Sequence, residues 1–252
     1  MKTESVRAQI FLETFFPLLE SFVMERQGLM ILACGMRTFQ IELEDEKLAY
    51  QLAVVDGVLK SGVDIVEEPS LVLRFKNLEQ LGFFLRGKMM GLPQVKRWSF
   101  NDFTCATVAS MSAFLGMTLH PSIPLLVESN KRLRAKLLLH AASYAMEAVA
   151  RLDDEVHSVC QEVDGDVAQI SILPSGPSIH VIFRPGRIVT RRGAHPAPDA
   201  IIQFENIAIF NDLVSQKLNP LNTYFQRKVW IEGESVLVLM VAFLLQKLME
   251  YL

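Results

Sequence analysis

The sequence predicts an α+β protein built as two tandem domains, and three observations carry that prediction. A fixed shift of 129 residues lays one half of the chain on the other, strand-like alternation in each half is bracketed by helical stripes, and the chain closes on a helix that is apolar almost all round. At 252 residues there is room for two domains of ordinary size, placed at 1–125 and 126–252.

The repeat is read from particular residues. Pro69-Ser70-Leu71-Val72-Leu73-Arg74-Phe75-Lys76-Asn77-Leu78 falls on Pro198-Asp199-Ala200-Ile201-Ile202-Gln203-Phe204-Glu205-Asn206-Ile207, with Pro, Phe and Asn identical and the apolar positions alike in kind. The same shift sets Asp56-Gly57 on Pro185-Gly186, Lys88 on Lys217 and Leu92 on Leu221.

In the first copy Val6, Ile10, Phe11, Phe15, Leu18, Leu19 and Phe22 recur at helical spacing and predict a helix over about 4–26, with a kink at Pro17. Alternation predicts strands at 38–43 and 48–54, Asp56-Gly57 turns the chain into a strand at 58–62, and 71–75 reads as another. The short side chain of Asn77 can accept a free backbone N–H and cap a helix over about 78–87, and a further helix is expected near 103–116. The second copy opens on a long linking helix over about 127–160. Strands follow at 167–172, 179–183, 187–191, 201–204 and 228–233, with Asn206 capping a helix near 207–216 and the apolar helix closing the chain over 235–250. A helix so apolar has to be covered on most sides, by its own sheet, the sister domain or a ligand.

Composition excludes whole classes of function. Half of the residues are apolar, 21% are charged and the mean hydropathy is +0.26, which is ample material for a core and rules out a disordered tail. The formal net charge is −3, so no nucleic-acid partner is expected. Glu4, Glu13 and Glu20 interrupt the N-terminal apolar residues, which argues against a signal peptide. Cys34, Cys105 and Cys160 are scattered and odd in number, so a cytoplasmic, reducing setting and plain structural thiols are expected. The ten-residue run Val236 to Leu245 is half the length of a membrane span.

Catalytic signatures are missing from the sequence. It contains no phosphate loop, dinucleotide fingerprint or nucleophile elbow, and the five histidines form no metal-ligand spacing. Asp153 and His157 share a helical face, but a hydrated acidic patch with Asp154 and Glu155 is the simpler reading. His180 lies in strand alternation and is expected to face solvent. Arg184, Arg187, Arg191 and Arg192 read as a solvated edge that discourages strand pairing, with contact to anionic headgroups or a protein as the other use. No cofactor and no metal are expected.

The closing segment resembles a known family. Pro198-Asp199 with Ile201-Ile202, then Gln216-Lys217-Leu218-Asn219-Pro220, then Arg227-Lys228-Val229-Trp230-Ile231-Glu232-Gly233 and an apolar helix are similar to the sterol carrier protein type 2 (SCP-2) domain, with Gln216 and Arg227 where that family's pattern has glycine. Residues 1–120 then look like a divergent sister: Gly87-Lys88 is kept, while the last strand is eroded into Val95-Lys96-Arg97-Trp98. The resemblance implies tandem domains, each a mixed, mostly antiparallel sheet packed against helices. It also implies an apolar tunnel that takes a sterol, fatty acyl lipid or isoprenoid without catalysis. By position the lining candidates are Ile202, Phe204, Phe210, Leu213, Leu218, Leu221, Phe225, Val229, Ile231, Leu237, Met240, Val241 and Leu244, with Leu73, Phe75, Leu81, Phe84, Leu85, Met89 and Leu92 in the first copy. The expected partner is a hydrophobic small molecule, with a transient membrane surface or protein as a further one; the oligomeric state is left open. Two alternatives stand beside this reading. One is a structural or regulatory interaction module with filled domains, and the other is a small hydrolase or isomerase using His140, His157, His180 or His195.

Overall fold

The computed structural model describes residues 2–23, 38–55, 58–63, 69, 71–85, 92–98 and 128–251. It divides into two compact units, Met1–Leu115 with Tyr251 and Gly116–Glu250 with Leu252, and both are α+β. Cys34, Cys105, His120, Lys88 and the helix expected near 103–116 lie outside the described residues.

In the first unit α1 (Lys2–Val23) precedes strands β1 (Thr38–Leu43), β2 (Leu48–Val55), β3 (Val58–Val63) and β4 (Leu71–Phe75). Helix α2 (Leu78–Leu85) and strand β5 (Gln94–Trp98) follow. The sheet order is β3-β2-β1-β4-β5, in which β1 and β4 are parallel and every other pair antiparallel. Residues paired in register share a face. One face carries Phe39, Ile41, Leu43 and Phe75, buried toward α1 and α2, where Ala8, Ile10, Leu12, Leu18 and Leu81 complete the core. The other carries Gln40, Glu42, Gln51 and Arg74. Glu42 accepts two contacts from the Arg74 guanidinium, at 2.7 and 2.8 Å, and one from Gln40 Nε2 at 2.9 Å.

The second unit repeats this plan. Helices α3 (Glu128–Leu152) and α4 (Asp154–Cys160) precede β6 (Val167–Ile172), β7 (Ser178–Arg184), β8 (Arg187–Arg192) and β9 (Ala200–Phe204). Then come α5 (Ile207–Val214), α6 (Pro220–Phe225), β10 (Val229–Gly233) and α7 (Ser235–Tyr251). The sheet order β10-β9-β6-β7-β8 is that of the first unit, element for element. The registers coincide as well. Phe39 pairs with Leu71 as Ala168 pairs with Ala200; Gln40 pairs with Gln51 as Gln169 pairs with His180; Gln51 pairs with Gly62 as His180 pairs with Arg191. Each correspondence is the 129-residue shift. The Asn caps obey it too: Asn77 Oδ1 accepts from Gln80 N and Asn206 Oδ1 from Ile209 N, both at 3.0 Å, so α2 and α5 begin and end at matching positions.

The shift fails at one place. Leu71 pairs with Trp98 but Ala200 pairs with Gly233, an offset of 135, so the second copy is six residues longer between its short helix and its last strand. Leu92, just before β5, therefore does not correspond to Leu221, which lies in α6. The sequence pattern marks that helix only as an apolar turn. Its signal is Asn219-Pro220: the Asn219 side chain accepts from Asn222 N at 3.1 Å and Pro220 occupies the first helical position, where a missing N–H costs nothing.

The linking helix is broken once. Asp153 leaves helical geometry (φ −99°, ψ 118°), and its carboxylate accepts from Glu155 N and Val156 N, both at 3.0 Å, which caps α4. The acidic run Asp153-Asp154-Glu155 is thus a helix start, with its negative charge at the favourable end of the helix dipole.

Glycine-type geometry recurs where the family pattern has glycine. Gln216 (φ 57°) and Arg227 (φ 54°) both stand in the left-handed region. Each follows a helix end closed in the same way: Gln216 N bonds Leu213 O and Lys217 N bonds Asp212 O, while Arg227 N bonds Tyr224 O and Lys228 N bonds Thr223 O. Gly233 (φ 87°) keeps the pattern's residue because a Cβ there would lie 2.0 Å from Asp199 O. Asp199 itself ties the central parallel pair, its carboxylate accepting from Val167 N at 2.8 Å. Gln216→Gly and Arg227→Gly are each expected to stabilise the chain by about 0.5–1 kcal/mol in urea unfolding. Gly233→Ala is expected to destabilise it by more than about 2 kcal/mol in the same measurement.

Candidate functional site

The apolar face of the second sheet is the place to look for a site, because it is only partly roofed. Ala168, Ile170, Ile172, Ile179, Val181, Phe183 and Ile188 form its buried centre, covered by Leu137, Leu139, Met146, Val149 and other residues of α3. Thr190 on the same face donates its hydroxyl to Glu147 of α3 at 2.7 Å. Toward β9 and β10 the face continues through Ile202, Phe204, Val229 and Ile231, paired across the two strands as Ile202 with Ile231 and Phe204 with Val229. Ile202, Phe204 and Val229 are half-buried and Ile231 is 41% exposed. Phe204 meets Phe210 of α5 edge-on, with centroids 5.1 Å apart.

The thirteen second-copy candidates fall into three groups. Phe210, Leu237, Met240, Val241 and Leu244 are buried, whereas Ile202, Phe204, Leu213, Leu218 and Val229 are half-buried. Leu221 (67%), Phe225 (76%) and Ile231 are exposed. In the first copy Phe75 and Leu81 are buried, Leu73 is half-buried and Leu92 is exposed; the side chains of Phe84 and Leu85, and the whole of Met89, lie outside the described residues.

The closing helix α7 is buried along one side. Leu237, Met240, Val241, Leu244 and Leu248 make one buried face at helical spacing, while Val236 and Leu239 stand open on the other. Near its end Lys247 bonds Glu155 of α4 at 2.6 Å and Glu250 at 3.4 Å, and these carboxylates hold the ammonium above its ordinary range. Sequence reasoning missed Val214, Tyr224, Val236 and Leu239 as open apolar residues. The alternation and stripe patterns mark apolar faces without showing which will be roofed.

The polar face of the same sheet is covered at its middle, where Gln169, Ser171 and His180 are buried. The segment 193–199 joins β8 to β9, which lie parallel with β7 and β6 between them, so it has to cross the sheet. It crosses over His180: Gly193 O accepts from His180 Nδ1 at 3.0 Å, and the His195 ring sits 5.1 Å from the His180 ring. Gln169 Oε1 accepts from His195 N at 2.7 Å, and Gln169 Nε2 donates to Ser171 Oγ at 2.8 Å. His180 is therefore buried rather than solvent-facing, because the crossover covers a strand position that alternation marks as open. The expected basic edge is partly engaged: Arg184 pairs with Asp164 at 3.2 Å and Arg192 bonds the Tyr144 hydroxyl, while Arg187 and Arg191 are exposed. Arg134 is buried, donates to Ser215 Oγ at 3.1 Å and is lowered by burial against the opposing pull of Asp212.

Among the described residues no group of three His, Cys, Asp or Glu side chains converges to hold an ion. Cys160 is a buried free thiol whose pKa is pushed up by burial. Among the described residues no helix is long and apolar enough to cross a membrane. The first unit carries a polar groove of about 660 Å³ lined by Glu44, Asp45, Arg74, Lys76, Asn77, Glu79, Gln80, Phe83 and Gln94, away from its apolar core.

Residues 146–246 match the SCP-2 sterol transfer family. That span runs from the middle of α3 into α7 and contains the whole second sheet. The first unit repeats its strand order and registers, so the fold is a tandem SCP-2-like arrangement. No curated protein matches the chain. Among solved structures, a ubiquinone synthesis protein of the UbiJ-SCP2 type aligns at 8% identity over 46% of this chain and 96% of its own, with a TM-score of 0.33. A conserved hypothetical protein from Thermus thermophilus, described as possibly a sterol carrier protein, aligns at 13% identity over 44% and 83%, also at 0.33. The stereoselective inverting sec-alkylsulfatase Pisa1 from Pseudomonas sp. aligns at 12% identity over 58% of this chain and 28% of its own, at 0.24.

The burial pattern makes a direct prediction. Phe210→Ala is expected to cost about 3–5 kcal/mol in chemical denaturation and Phe225→Ala less than about 0.5 kcal/mol, because only the first vacates packed space.

Proposed function

We infer that the second SCP-2-like domain binds a hydrophobic ligand, a sterol, fatty acyl lipid or isoprenoid, and carries or presents it without catalysis. The observation that carries this reading is the coincidence of the family match with an apolar sheet face left partly open at Ile202, Phe204, Val229 and Ile231. An aliphatic ligand laid on that face removes its own surface and these side chains from water together, which is the main term holding an apolar molecule. Phe210 of α5 meets the face through Phe204, and half-buried Leu213 and Leu218 with buried Leu237, Met240, Val241 and Leu244 are proposed as the rest of the lining. Exposed Leu221 and Phe225 are proposed as its rim. The reading places the protein in the cytoplasm, with Cys160 as a structural thiol.

The first domain is assigned a supporting part. Its sheet keeps the same registers, but an ion pair, Glu42 with Arg74, stands where the second copy has Ser171 and Gln203. The competing reading is an interaction module with filled domains, and the tight burial of five of the thirteen candidates favours it.

Displacement of a fluorescent fatty acid by unlabelled acyl lipid, sterol and isoprenoid separates the two. Saturable uptake is expected, weakened at least about tenfold by Phe204→Glu or Val229→Glu, since each sets a charge on the apolar face. Absence of saturable uptake, together with no lipid released by solvent extraction, would establish the filled module instead.

A further inference from the structure

Within the described residues, the most exposed large apolar side chain of the chain is Phe225, at 76%, and Leu221 at 67% and Tyr224 at 46% accompany it. All three lie on α6, within a stretch six residues longer than its counterpart in the first copy, and Tyr224 and Phe225 stack edge-on at 5.9 Å. The helix is held at both ends, by the Asn219 cap and by the bonds of Arg227 N and Lys228 N, so these side chains project from a fixed base. Cations flank it on both sides, Lys217 before and Arg227 and Lys228 after, and residues 213–231 include no Asp or Glu. The acids that border the segment are Asp212, whose carbonyl accepts from Lys217 N, Glu232 in β10, and Glu205, whose amide bonds Lys228 O. Arg227 places a charge at a left-handed position that glycine would occupy at lower cost.

We propose that α6 docks the chain on anionic lipid bilayers, with Leu221, Tyr224 and Phe225 entering the interfacial layer and Lys217, Arg227 and Lys228 meeting headgroup phosphates. Side chains of a helix lying in the membrane plane reach about 5–10 Å into the headgroup and acyl boundary. Aromatic and leucine side chains framed by lysine and arginine match that layer in both polarity and charge. A protein partner would instead have to supply a concave apolar pocket ringed by carboxylates. The inference concerns a surface and does not rest on ligand binding by the sheet face.

The test is sedimentation of the full chain with phosphatidylcholine vesicles, with and without phosphatidylglycerol, at low and physiological salt. Binding is expected to the phosphatidylglycerol vesicles and to fall several-fold with salt. The double variant Leu221→Ser, Phe225→Ser is expected to weaken it at least about tenfold, and Lys217→Gln or Arg227→Gln by about fivefold each. Arg227→Gly separates docking from folding, since it is expected to raise stability while lowering vesicle binding. Arg191→Gln removes an exposed cation from β8, at the opposite edge of the same sheet, and is expected to leave binding unchanged. Failure to bind phosphatidylglycerol vesicles overturns the proposal, as does binding that the α6 variants leave intact or that Arg191→Gln weakens equally. Self-association abolished by Phe225→Ser, without vesicle binding, also overturns it and assigns the surface to a second copy. Vesicle binding by a chain that takes up no fluorescent fatty acid would leave the proposal standing while sinking the ligand reading.

Discussion

Both units depend on one pairing, the parallel alignment of the first strand with the fourth. Phe39 with Leu71 and Ala168 with Ala200 are each 32 residues apart in sequence, and the pairing sets the two strands side by side at the middle of the sheet. A parallel neighbour cannot be reached by a tight turn, so the intervening chain makes two hairpin strands outward and then crosses back over the sheet. In the second unit that crossing covers the middle of one face, over Gln169, Ser171 and His180. The other has to be roofed by helices arriving before the first strand and after the fourth, and α3 and α5 do this in the second unit as α1 and α2 do in the first. The Asn caps at 77 and 206 begin the return helix two residues beyond the fourth strand in both copies. Asp199 locks the arrangement in the second unit through Val167 N.

Divergence between the copies has gone where this constraint is silent. The faces toward the helices keep their apolar character along the three inner strands, with Ser61 matched by Thr190 and Val63 by Arg192 on the edge strand, while the polar face has been rewritten. Gln40 and Gln169 remain, but Gln51 is matched by His180, and Glu42 with Arg74 by Ser171 with Gln203. In the first copy the Glu42 carboxylate takes two contacts from the Arg74 guanidinium, whereas the amide of Gln169 and the ring of His180 in the second copy are satisfied by a crossover laid directly upon them. The last strand is the other free region. It is bonded to one neighbour alone, so the length of chain leading to it can change without disturbing the pairs behind it.

Legibility follows the same division. Strand and helix spans in the pairing core are readable because period two and period 3.6 are imposed there by burial, and the Asn caps give the starts of α2 and α5 to the residue. The break at Asp153 is not readable, since an apolar stripe runs through it and only the carboxylate's bonds to Glu155 and Val156 reveal that one helix has become two. His180 is misplaced by the sequence pattern because alternation assigns a face but says nothing of a loop that later covers it. Helix α6 escapes notice although Asn219-Pro220 announces it, because six residues are too few to show a period. Among the site candidates, sequence can name apolar positions, yet Phe210 at 5% and Phe225 at 76% exposure are the same residue type in adjoining helices. What separates them is the roof, a tertiary fact.

The left-handed residues connect these threads. Glycine at 216 and 227 would satisfy the helix ends without strain, and the chain holds Gln216 and Arg227 there instead. A residue that costs stability in the fold is informative only if its side chain does something glycine could not. At 227 the side chain adds a cation beside the most exposed aromatic of the described chain, in a stretch free of acids. The surplus of apolar residues in the composition is therefore divided in the second unit. Most of it is buried beneath α3 or along one face of α7, part of it is half-open along β9 and β10, and a further part is displayed on a short, capped, basic-flanked helix. Burial alone explains the first portion. The other two are costs in water that a purely structural module would have no reason to keep, and their placement at one edge of one sheet is what gives that edge its functional interest.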